Sequence, residues 1–373
     1  MEEGNGEMKM EKSLCLQSAR IRLQVPGLPA ASSASSPAPR TPVWLWPHVL
    51  SFEAPAVAML WLAGLAHVND FPLMPGVLPG LGLAVWLIYL TDRVLDASAT
   101  PANRLGPRHR FYRTFRLPLM LVVMPAVAGV LAWLGLWVVP VGLLTSALLQ
   151  LLPIILYLVL YSVSSIKARR RMIQGGMLIL LLLVSTLPVP MTVRITASMV
   201  IAGVATLAIA LRWHERVEQL FRKETAAGLL FAFGCTTWTR FHTQGSDGPE
   251  TWVELILLGL LFISNLALTS AREGDPETAP ASARATLHMA LVMCLLAFGA
   301  VLLESLPASL LPILWAVLAG MIGLEVLWRM RAGLSPEAFR VWADIVVALP
   351  AACLLLLPDA RPMQAAAAAA CCL

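Results

Sequence analysis

Eleven apolar stretches divide this chain, at about 46–66, 77–95, 117–137, 139–162, 172–189, 194–212, 225–241, 251–270, 286–305, 309–328 and 341–357. Each is near the roughly 20 residues that an α-helix needs to cross a hydrocarbon core. Inside a bilayer the backbone must satisfy its own hydrogen bonds, so stretches of this kind have to become helices. Only 13% of the residues are charged, about half the share usual in a soluble domain. The sequence therefore predicts an all-α, polytopic transmembrane helix bundle. The fifth, seventh and eleventh stretches are short, and only the region around Pro140 separates the third from the fourth, so those boundaries are soft.

The placement of basic residues fits this division. Of the 27 Lys and Arg, 19 fall in the loops that join the second stretch to the third, the fourth to the fifth, and so on in alternation. The loops on the opposite side hold only Arg194 and Arg240. The positive-inside rule then places the N-terminus and the basic loops in the cytoplasm. Residues 1–45, polar and then Ser/Ala/Pro-rich, predict a disordered cytoplasmic tail without a signal peptide. Residues 46–357 form the helical domain, and 358–373 is a low-complexity tail lacking a prenylation signal. Because the basic residues sit in loops between apolar runs, the net charge of +5 points to no nucleic-acid partner, and the bilayer is the partner expected. The six cysteines have no paired spacing that would suggest a disulfide framework or a zinc site.

Four polar clusters interrupt the apolar pattern. In Trp86–Ala97 an apolar run meets Asp92 and Asp96, with Arg93 between them. Tyr89, Asp92 and Asp96 share one helical face. Two stacked acids at the end of a membrane helix require a cation. A Mg²⁺ ion held by one or two carboxylates together with substrate phosphates meets that need, and so does a solvated helix end in which Arg93 pairs with one aspartate. Beyond it, Arg108, Arg110 and Arg113 are interleaved with Phe111 and Tyr112, which suits either diphosphate binding or an interfacial anchor. Near 270, Asn265, Thr269 and Glu273 form a polar stripe, and Gly274 can turn the backbone so that Glu273 and Asp275 both face inward; a plain loop start reads equally well. Lys223 lies in a basic linker at the entry to the seventh stretch, where it can meet a phosphate or pair with neighbouring glutamates. Of the ionisable residues within the spans, Glu53 is the candidate for the acceptor side, about two turns into the first stretch, whereas Glu325 and Asp344 sit near the boundary and can pair with Arg329 or Arg340.

These residues make the chain resemble the UbiA-type intramembrane prenyltransferase superfamily, in a divergent bacterial branch. YLTDRVLD is similar to the end of the family's NDxxDxxxD motif, giving Asp92 and Asp96, with Ile88 and Tyr89 standing where the family has its Asn and first Asp. AREGD is similar to the second acid motif, giving Glu273 and Asp275, with Ala271 at the leading position. FRKETAAGLLFAFG resembles a basic entry to a later helix and points to Lys223, and YSVSSIKARRRMIQGG offers Lys167 for the same role. The resemblance implies a bundle of nine to eleven spans in a bacterial inner membrane. It also implies Mg²⁺ at Asp92, Asp96, Glu273 and Asp275, which would be the catalytic set. A polyprenyl diphosphate would be neutralised by Arg93, Arg108, Arg110, Arg113 and Lys223, and Glu53, Tyr89 and Asn265 would line the pocket for an acceptor, aromatic or otherwise. The alternative is a non-catalytic carrier or scaffold on the same frame.

Overall fold

The computed structural model describes residues 45–99, 107–162, 222–243, 250–274 and 280–358, with isolated positions between 162 and 222. Two of the predicted stretches, 172–189 and 194–212, and both tails lie outside the described residues. Every other stretch is helical, and no strand occurs among the described residues. The helices are α1 (Trp46–Val49), α2 (Glu53–Val68), α3 (Val77–Ala99), α4 (Pro107–Thr114) and α5 (Arg116–Trp137), then α6 (Val141–Ser162), α7 (Lys223–Cys235), α8 (Thr237–His242) and α9 (Glu250–Glu273). The chain ends with α10 (Pro280–Leu302), α11 (Leu311–Met330) and α12 (Pro336–Leu354).

Six of these helices are long and apolar enough to span a membrane: α3, α5, α6, α9, α10 and the helical run Ala308–Gly333 that contains α11. Three predicted stretches fall short for visible reasons. The first breaks at Ser51, which adopts a left-handed backbone (φ 57°), so α2 has only 16 residues. The seventh breaks at Thr236, between α7 and α8. The eleventh, α12, carries Glu337, Arg340 and Asp344 in its first half. The break expected near Pro140 is real: Val138 and Val139 both donate to the Leu134 carbonyl as α5 ends.

At the centre is α9, packed against α7, α10, α11 and α12. Its apolar face buries Leu258, Leu261 and Leu268 completely. Small residues bring the neighbouring backbones close, as membrane helices require when apolar burial alone does not favour association. A Cβ on Gly228 of α7 would stand 2.7 Å from the backbone nitrogen of Ile263, and one on Gly64 of α2 would stand 2.9 Å from the Ala351 carbonyl. The Trp61 indole, fully buried, donates to the Val347 carbonyl (3.1 Å) and fixes α2 against α12. By contrast α5 exposes Leu121, Trp133 and Trp137, an apolar outer face suited to lipid.

Candidate functional site

Asp92 and Asp96 lie one turn apart near the C-terminal end of α3, and α7 begins beside them. Lys223, the first residue of α7, places its Nζ 3.5 Å from Asp92 Oδ1 and 3.5 Å from Asp96 Oδ2. Arg93 reaches both carboxylates from its own helix, with Nη1 at 3.8 Å from each Oδ2. Among the described residues the acid pair thus meets two cations, one from its own helix and one delivered by α7 from far along the chain. Separations of 3.5–3.8 Å are ion-pair distances rather than short hydrogen bonds.

Beside this cluster opens a small cleft. Its wall comes from α1, α2, α3, α7, α9 and α12 and includes His48, Glu53, Tyr89, Arg93, Phe231, Phe262, Asn265, Thr269, Arg340 and Asp344. The three residues expected to line a pocket, Glu53, Tyr89 and Asn265, therefore meet at one cavity. Two buried polar atoms of the wall, Arg93 Nε and Asn265 Oδ1, have no hydrogen-bond partner among the described residues. Leaving such groups unpaired costs on the order of 1–3 kcal/mol each, so the cavity suits a polar ligand that supplies an acceptor to Arg93 and a donor to Asn265.

The stripe on α9 divides its work. Asn265 donates through Nδ2 to Asp344 Oδ1 of α12 (3.2 Å). Thr269 is buried and returns its hydroxyl to the Asn265 carbonyl (3.0 Å). Glu273 accepts from Arg340 Nη1 (2.5 Å). Arg340 and Asp344, i and i+4 on α12, are thus site residues where the sequence suggested boundary groups. The i, i+4 spacing and the partnership of Asn265 with a buried acid were the signals available.

Glu53 differs from expectation. It is the first residue of α2 rather than a residue two turns into a span, because the Ser51 turn starts the helix late. Its Oε1 accepts from Nδ1 of the His48 ring (2.9 Å), a residue not singled out from sequence. The arginine strip also divides. Arg110 and Arg113 are exposed and do not line the cavity, whereas Tyr112 is buried and bonds the Ser51 hydroxyl (3.1 Å). Helical periodicity explains this: the aromatic residues turn α4 onto the bundle, and the arginines face away. The side chain of Arg108, and Lys167 and Asp275 altogether, lie outside the described residues.

The donor chemistry of Asp92 and Asp96 fits a Mg²⁺ ion shared with phosphate oxygens. Among the described residues no three His, Cys, Asp or Glu side chains come together to hold one ion. Among known proteins, no family model, no curated protein and no solved structure matches the chain.

Proposed function

We propose that the chain is a Mg²⁺-dependent intramembrane prenyltransferase that moves a prenyl group from a polyprenyl diphosphate to an acceptor, aromatic or otherwise, at the cytoplasmic side of a bacterial inner membrane. The observation that carries this reading is the adjacency of the Asp92–Asp96–Lys223 cluster to a cavity with an unpaired Arg93 Nε–H and an unpaired Asn265 Oδ1. In this reading Lys223 and Arg93 turn from the aspartates to the diphosphate, and Asp92 and Asp96 hold the cation. When bound, Mg²⁺ supplies charge neutralisation to the leaving diphosphate. Tyr89, Phe231 and Phe262 line the cavity, where aromatic rings would stabilise positive charge developing on the allylic carbon. Asn265 Oδ1 accepts a hydrogen bond from the acceptor and orients it.

The test is binding of farnesyl diphosphate to the purified protein with and without Mg²⁺. Binding should require Mg²⁺, and Asp92→Asn with Asp96→Asn should remove that requirement together with most of the affinity. Mg²⁺-dependent binding that survives the double substitution would sink the metal assignment. A second reading, a non-catalytic carrier or scaffold, draws on one observation: Lys223 and Arg93 both pair with the two aspartates. It predicts that the diphosphate, even if bound, is recovered intact with every acceptor offered.

A further inference from the structure

On the outer side of the bundle, away from the cavity, α10 and α11 carry a second charged cluster. Glu325 of α11 accepts from Arg284 Nη2 of α10 (2.7 Å) and from Arg329 Nε one turn further along α11 (2.9 Å). His288 Nε2 stands 3.5 Å from its other oxygen. The carboxylate is mostly covered, at 13% exposed, but the cations around it are open: Arg284 at 44%, His288 at 52% and Arg329 at 71%. Two guanidinium groups share one acid, so the cluster carries excess positive charge before His288 is counted. Each guanidinium has five N–H donors and gives one to Glu325.

The same helix faces continue as apolar surface. On α10 the positions 284, 288, 292 and 296 recur every four residues, each on the same side as the next and the set winding about 120° around the helix. They read Arg, His, Val, Leu, with Val292 and Leu296 more than half exposed. On α11, Ile322 and Val326 flank Glu325 and are also half exposed. Cationic groups at the end of the seam between α10 and α11, followed by exposed apolar residues that run about 6 Å along each helix at 1.5 Å per residue, match an anionic phospholipid whose head meets the cations and whose chains continue along the apolar surface. Arg284 and Arg329 are anchored by Glu325, which lowers the entropy lost when they bind a phosphate.

We propose that the α10–α11 groove is a binding site for an anionic phospholipid, with the phosphate held by Arg284 and Arg329 beside His288 and the chains lying on Val292, Leu296 and Ile322. This site does not depend on the proposed prenyl transfer. The occupant committed to is the lipid rather than a second copy of the chain, because two like-charged clusters would face each other across a symmetric contact.

The experiment is native mass spectrometry of the full chain titrated with dioleoyl phosphatidylglycerol, dioleoyl phosphatidylcholine or inorganic phosphate. Each arginine near a membrane surface contributes about fivefold to anionic-lipid affinity. Arg284→Gln with Arg329→Gln should therefore weaken phosphatidylglycerol binding about thirtyfold and leave phosphatidylcholine unchanged. Adding Glu325→Gln removes the stranded carboxylate, and this triple variant should melt like the wild type in phosphatidylcholine while still losing phosphatidylglycerol. Arg116→Gln, at an exposed arginine elsewhere, should change the affinity at the site by less than twofold. Unchanged phosphatidylglycerol affinity in the triple variant overturns the proposal. So does full competition by inorganic phosphate, which would make this a free-anion site, or a dimer that the triple variant dissociates without change in lipid binding.

Discussion

At the scale of single residues, Lys223 has the largest consequence. From sequence it is one basic residue among several in a linker, but the fold sets it between two aspartates of another helix. Its ammonium and a bound divalent cation compete for the same carboxylates. Lys223→Met should therefore tighten binding of Mg²⁺ alone while weakening farnesyl diphosphate binding. Both effects should be about two- to fivefold, since the side chain is over a third exposed and screened by solvent. Isothermal titration with each ligand separately checks the opposite signs, and movement of both in the same direction would argue against a shared site. Asp92 and Asp96 were legible because two acids at helical spacing break an apolar run. Arg340 was not, because nothing in a local pattern says that its partner is Glu273, 67 residues earlier.

At the scale of elements, the site depends on how closely α7 approaches α9. Gly228 permits that approach, and it lies just over one turn beyond Lys223. In Gly228→Ala the new methyl group would meet Ile263 backbone at 2.7 Å, so α7 has to move outward. We expect a loss of about 1–3 kcal/mol of stability, read as a lower melting temperature in detergent, with weaker diphosphate binding as Lys223 is displaced. Gly234→Ala, on the same helix with ordinary 3.5 Å contact to Leu81, is the control and should melt within about 0.5 kcal/mol of the wild type. Equal effects of the two substitutions would mean that helix propensity rather than close packing is at work. Helix existence was legible in the apolar stretches, because apolar runs of this length have one stable backbone solution, but not in α4, which lies in a basic loop of the sequence pattern. The early break at Ser51 was not. A serine with a left-handed backbone is set by the contacts of α1 with α4, including the Ser51–Tyr112 hydrogen bond, and not by its neighbours in sequence.

At the scale of the whole molecule, antiparallel packing gathers Asp92, Asp96, Lys223, Glu273, Arg340 and the Arg284–Arg329 cluster at one end of the bundle. The opposite turns hold Asp70, Glu254 and Ser305, with Glu254 buried and bonded to Asn69 (3.0 Å). From the positive-inside rule we propose that the first end faces the cytoplasm. In right-side-out vesicles, a maleimide that cannot cross the membrane should label Ser305→Cys at once and Arg331→Cys only after permeabilisation, in a background lacking the native cysteines. The reverse pattern would invert the orientation. The sequence by itself determined that this chain is helical, with stretches long and apolar enough to span a membrane, and where its acids and bases lie along it, because hydropathy over 20 residues and charge at loop ends are local quantities. Only the tertiary structure decided that Tyr89, Arg93, Asn265, Arg340 and Asp344 share one cavity and that the acid pair meets Lys223. Those relations depend on which helices become neighbours and how each is turned about its axis, and both are set by the close packing of residues far apart in the chain.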